Sequence, residues 1–182
     1  MTEFIAGMTL AEGLGQLCGL VALGFCIVGF ANKNDDRLMV LLISANVAFA
    51  LMFALFESWT ASALTVLVIL RITLARKYQG NWSIMLGMLA VNLVVAWVTW
   101  KSITDVFPLA AAVFGTVGMF MLRGISLRFV LGLAATAWML NNIVIGSVGG
   151  TLAEGMVLVT NIITIMRLYR LQKKYPDFTP GR

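Results

Sequence analysis

Histidine is missing from the 182-residue chain. Neutral-pH imidazole chemistry and His-ligated metal sites are therefore excluded. Charge is scarce too. Only 12% of residues are Asp, Glu, Lys or Arg, against roughly a quarter in a soluble globular domain. The two cysteines, Cys18 and Cys26, lie eight residues apart in one predicted helix. At ~1.5 Å per residue that is about 12 Å, too far for a disulfide. Both read as small apolar fillers. No nucleophile–base pair, metal cluster or glycine-rich phosphate loop is present, so nothing points to catalysis, a metal or a cofactor.

What remains is apolar. The chain is 60% hydrophobic, with 11 Met, 11 Phe and 5 Trp, and its mean hydropathy is +0.95. Such a chain is a polytopic membrane protein with the lipid bilayer as its solvent. A helical span needs roughly 20 apolar residues. Seven are predicted, at 13–31, 38–56, 59–77, 83–100, 106–122, 127–145 and 151–170. Short polar breaks separate them: "NKNDDR", "KYQGNW", "KSITD", "RGIS" and "GSVGG". "FES" at 56–58 reads as a tight turn. The tail "QKKYPDFTPGR" is expected to be solvated, its two prolines stopping any helix. The opening "MTEFIAGMTLAEG" carries Glu3 and Glu12 but no basic residue. It lacks the basic start of a cleavable signal, so the N-terminus is expected to be retained.

Lys and Arg set the orientation. With the N-terminus outside, the cytoplasmic side receives Lys33, Arg37, Arg76, Lys77, Arg123, Arg128, Arg167, Arg170, Lys173, Lys174 and Arg182. The outer side receives Lys101 alone. The predicted topology is N-out, C-in. The net charge of +5 follows this topology, and nucleic acid is not an expected partner.

The chain also repeats. A shift of 91 residues overlays spans 1–3 on spans 5–7, with matches at Gly24/Gly115, Arg37/Arg128, Thr60/Thr151, Thr73/Thr164, Arg76/Arg167 and Tyr78/Tyr169. Span 4 has no counterpart. The expected fold is an all-α integral membrane protein of seven transmembrane helices. Two parallel three-helix bundles, 13–78 and 104–170, are joined by a linker helix, 83–100, and followed by a cytoplasmic tail, 171–182. Parallel repeats of this kind place their site at the midplane between the halves.

A 3+1+3 order with the N-terminus outside resembles the SWEET sugar transporters, and each half resembles the bacterial SemiSWEETs of the MtN3/PQ-loop superfamily. No proline–glutamine dipeptide is present. The closer resemblance is to the bacterial inner membrane protein YgjV family. It is carried by "NKNDDR" and by "NNIVIGSVGGTLAEGMVLVTNIITIMRLYRLQKK" at 141–174, and it extends over nearly the whole chain. The SWEET likeness implies a central solute pocket, with an asparagine on the third helix of each unit and a tryptophan nearby. Asn161 and Trp138 match those positions in the second unit. The first unit departs, with Leu70 and Val47 at the equivalent places.

Inside the spans, Arg71 stands out in "VLVILRITLAR". A charge near the bilayer centre costs about 2.5–3.5 kcal/mol even on the gentle insertion scale. One reading is snorkelling to the nearby interface or a structural pairing. The other is a solute-facing role, in which a planar cationic fork suits a carboxylate or phosphate. Asn46, Asn141, Asn142 and Asn161 read either as interhelical hydrogen-bonding glue or as pocket amides. Asn141 and Asn142 are adjacent, so one small pocket cannot take both. Asn142 shares a face with Trp138, four residues earlier, and the pair resembles a sugar platform; ordinary packing is the alternative. Thr151 and Glu154 read as a capping box opening span 7, and Glu57 as a wet residue at a span end. The expected site is Arg71, Asn161, Trp138, Asn142 and Asn46. The expected function is a small-solute carrier of the bacterial inner membrane. Its substrate would be a sugar or, given Arg71, a sugar acid or other small anion. A non-transporting partner or receptor of the same fold is the alternative. A homo-oligomer is left open.

Overall fold

The computed structural model describes residues 9–31 and 35–174. Among the described residues the chain forms seven α-helices: α1 Leu10–Ala31, α2 Asp35–Leu55, α3 Trp59–Lys77, α4 Trp82–Thr99, α5 Val106–Met121, α6 Gly124–Val144 and α7 Val148–Lys174. Six are long and apolar enough to cross a membrane. In α2 the apolar stretch among the described residues is Val40–Leu55. This is an all-helical, seven-helix integral membrane protein. Lys33, Arg182 and both prolines of the tail lie outside the described residues.

Helix ends follow local chemistry. At the "FES" turn, Ser58 N–H donates to the Phe53 carbonyl at 2.9 Å and Glu57 N–H to that of Ala54 at 3.0 Å. This is a Schellman cap, and its left-handed position is Glu57 at φ 57°. The α6–α7 turn repeats it: Ser147 N–H bonds the Asn142 carbonyl at 2.9 Å and Gly146 N–H that of Ile143 at 3.1 Å. Here glycine, at φ 74°, holds the left-handed place. The expected capping box at Thr151 and Glu154 is not the start of α7. Ser147 caps the helix instead, its Oγ accepting the Gly150 N–H at 3.1 Å. The helix thus begins one turn earlier, and Glu154 is freed from the end. At the other end α7 runs on to Lys174, so Gln172, Lys173 and Lys174 are helical rather than tail.

The helices pack in a closed ring, α1–α2–α3–α5–α6–α7 and back to α1, with α4 outside against α3 and α5. Buried apolar positions are mostly alanine, whereas Val94, Trp97, Val98 and Phe129 are exposed. That inversion suits a bilayer: lipid tails solvate large side chains, and small ones let helices approach. The α1–α7 crossing is tight. A side chain at Gly149 would strike the Gly19 backbone. Buried Asn92 ties α4 to α5 through the Thr116 hydroxyl at 3.2 Å.

The ring has internal two-fold order, but not at 91 residues. α6 starts 89 residues after α2, and both have 21 residues. α7 likewise starts 89 after α3, and the left-handed residues Glu57 and Gly146 are 89 apart. This shift maps the α1–α7 contact onto α5–α3. Two residues amount to about 200° of helix rotation at ~100° each, so the 91-residue overlay pairs opposite faces. Leu70 and Val47, its mates for Asn161 and Trp138, are both 48% exposed on the lipid side. The structural counterparts of these residues are Ile72 and Phe49.

Candidate functional site

A cavity of about 270 Å³ lies inside the ring, walled by α2, α3, α6 and α7 with Cys26 of α1. Arg71, Asn161, Trp138, Asn142 and Asn46 all line it. Asn141 does not line it, as its angular offset from Asn142 requires. The lining obeys the two-fold: Asn46/Ala135, Phe49/Trp138, Phe53/Asn142, Thr65/Glu154, Val68/Val157 and Arg71/Thr160 are all in the wall.

Aromatic rings cluster in one part of the cavity wall. Phe53 stacks on Trp138 with centroids 5.4 Å apart and planes at 21°, and Phe49 follows at 6.4 Å. One indole face is thus covered by Phe53, which removes it as an open sugar platform. Towards the other end the wall includes Leu42 and Arg128. Arg128 lies in the first turns of α6, at the end of the bundle where basic residues gather.

Arg71 is 6% exposed. Its guanidinium lies on α5 over Gly115, where a Cβ would come within 2.5 Å of Nη1 and 2.7 Å of Nη2. Only glycine leaves this space. Nη1 donates to the Ala112 carbonyl at 3.1 Å, whereas Nε is buried with no partner. Among the described residues no carboxylate is within ion-pair distance of Arg71. The structural-pairing reading thus has one carbonyl and no acid to rest on. The two-fold mate of Gly115 is Cys26, which fills on α1 the space that α5 leaves open.

The amides are incompletely used. Asn46 Nδ2 donates to the Leu42 carbonyl of its own helix at 2.8 Å. Asn142 Oδ1 and Asn141 Nδ2 are buried without partners. The Asn142 amide packs against Gly150, whose missing side chain makes room for it. Asn161 is 5% exposed and sits in the wall.

Glu154 is the residue that sequence reasoning missed. It lines the cavity, and no hydrogen bond or ion pair reaches it among the described residues. The usable signal was spacing: Glu154, Val157 and Asn161 recur at three and seven, one helix face, and all three line the wall. Among the described residues no three Cys, Asp or Glu side chains are grouped as metal ligands.

Seven membrane helices, six of them ringed around a largely apolar cavity with a few polar side chains, are a frame into which a family can be placed. Residues 13–172 match the Imp-YgjV family, described as bacterial inner membrane protein. The chain belongs to this family. It is 24% identical over 168 residues to inner membrane protein YgjV of Escherichia coli (strain K12), covering 92% of this chain and 89% of the relative. No solved structure matches. Family and fold together make this a multi-pass protein of the bacterial inner membrane. Arg71, Glu154 and the cavity all fall within the matched residues.

Proposed function

We propose that the protein is a small-solute carrier, not an enzyme, and that its solute bears a carboxylate. Sugar acids and other small organic acids are the class. The observation that carries this reading is Arg71: a buried, acid-free guanidinium with an unpartnered Nε, in the wall of an amide-lined cavity. Ion pairs to an arginine fork favour bidentate carboxylates. About 270 Å³ is just below the ~300–1,000 Å³ range of ligand pockets, so the solute is small. A purely structural partner protein would leave no reason for Arg71 Nε and Asn142 Oδ1 to stay unpaired, since such groups cost about 1–3 kcal/mol each.

Two three-helix halves around one cavity suit rocking about a midplane site, as in repeat-built carriers. Basic residues at the ends of α3, α5 and α7 and the starts of α2 and α6 orient that end to the cytoplasm. The aromatic cluster then lies toward the outer face, and in this reading it serves as the outer gate.

The test is thermal unfolding of the purified protein in detergent with glucuronate, lactate, 4-aminobutyrate and glucose. At 100 times its Kd a ligand adds about 2.7 kcal/mol. We expect a shift with one or more carboxylates, none with glucose, and loss of the shift in folded Arg71→Leu. No shift with any carboxylate, or an equal shift in Arg71→Leu, overturns the reading.

A further inference from the structure

The cavity wall also carries a carboxyl group, that of Glu154, which no hydrogen bond or ion pair reaches among the described residues, and the carrier reading does not use it. Glu154 sits on α7 and Arg71 on α3, and these helices are two-fold mates. The level of Glu154 on α3 is marked by its counterpart Thr65. Arg71 lies six residues further on, or about 9 Å along the axis. The two groups share one wall yet do not pair.

We propose that the solute is a zwitterion with well-separated charges, its carboxylate on Arg71 and its ammonium on Glu154. This rests on the carrier reading and narrows it. A solute ammonium beside Glu154 favours its carboxylate form. The Arg71 and Glu154 ends then attract opposite charges, with interactions stronger than in water. A molecule carrying both charges satisfies both ends and enters with no net charge. The other titratable or charged groups in the wall are Cys26 on α1 and Arg128 on α6, with none on α2. None of these is an ion-pair partner of Glu154. The spacing sets the class. Contacts of ~3 Å at each end take up all but about 3 Å of the axial offset, and α3 and α7 stand on opposite sides of the ring, so the span across the cavity adds to the separation and favours a longer molecule. An α-amino acid, with one carbon between its charged groups, spans the axial offset alone. The apolar middle of the slot, Val68 and Val157, suits a methylene chain.

The experiment is thermal unfolding of the full chain in detergent at neutral pH with glycine, 4-aminobutyrate, 6-aminohexanoate, butyrate and butylamine. The longer ω-amino acids are expected to stabilise, whereas glycine and butylamine do not. Glu154→Gln is expected to weaken the ω-amino acids roughly 10- to 100-fold, the loss of one charge-assisted hydrogen bond, and to strengthen butyrate. Glu154→Asp, which keeps the charge on a shorter arm, moves the preference towards the longer homologue and shows that the site still folds. If butyrate stabilises the wild type as well as the ω-amino acids do, or if Glu154→Gln binds both alike, the zwitterion proposal falls while the carboxylate carrier stands. If nothing stabilises the protein, both fall.

Discussion

The two halves of the ring use one backbone plan to hold different chemistry. Under the 89-residue shift, Phe49 faces Trp138, Phe53 faces Asn142, Thr65 faces Glu154 and Arg71 faces Thr160, all in one wall. The first half brings Arg71 and the second Glu154, and each offers a threonine at the other's place. Their crossings differ in the same spirit. In α1–α7, Gly149 lies against the Gly19 backbone. The mate of Gly149 is Thr60 on α3, whose hydroxyl instead donates to the Thr99 carbonyl of α4 at 2.8 Å. Beside the charge position, Gly115 leaves space for a guanidinium, and Cys26 closes it in the other half. The scaffold repeats, and polarity has been assigned one half at a time.

Substitutions at mated positions test how far the halves differ. The largest effect is expected at the crossings. Gly149→Val must push α1 from α7 at cost of about 3 kcal/mol or more, the upper range of overpacking. Thr60→Ala loses about 1 kcal/mol, one hydrogen bond. Equal losses of melting temperature for the pair would deny that the two mated positions differ. Next come the residues beside the charge. Gly115→Ala displaces the Arg71 guanidinium and costs about 1–3 kcal/mol, whereas in an Arg71→Leu background the same change should be nearly neutral. An unchanged cost in that background would mean that Gly115 does not serve Arg71. The smallest effect separates the two Schellman turns. Glu57→Gly relieves a left-handed side-chain strain of about 1 kcal/mol, and Gly146→Ala introduces one. Thermal unfolding should show opposite signs, and a shared sign would contradict the assigned caps.

The spans were legible because run length and breaks decide them; α3 and the Phe56–Ser58 turn fall where the apolar pattern ends. The start of α7 was not. Thr151 and Glu154 carry capping-box spacing, but Ser147 after the left-handed Gly146 caps first. That one misreading hid Glu154. The repeat was legible as a fact but not in its register, since apolar helices slide past each other with few mismatches. Only burial tells the faces apart. Arg71 was visible because a charge in a lipid span needs a reason. Its seat on Gly115 was not, because 44 positions separate the two in sequence.

The central claim is that the cavity is a water-accessible solute site between two halves, reached in this conformation from the cytoplasmic side. Asn46 lines it and is only half-buried. The most direct measurement places a single cysteine there, Asn46→Cys, with Cys18 and Cys26 replaced by alanine. A membrane-impermeant thiol reagent is then applied to inside-out and right-side-out vesicles. The account expects labelling from the cytoplasmic face that falls when a stabilising solute is bound. An Asn46→Cys thiol that reacts from neither face, in protein that unfolds at the normal temperature, would mean a sealed bundle and no carrier.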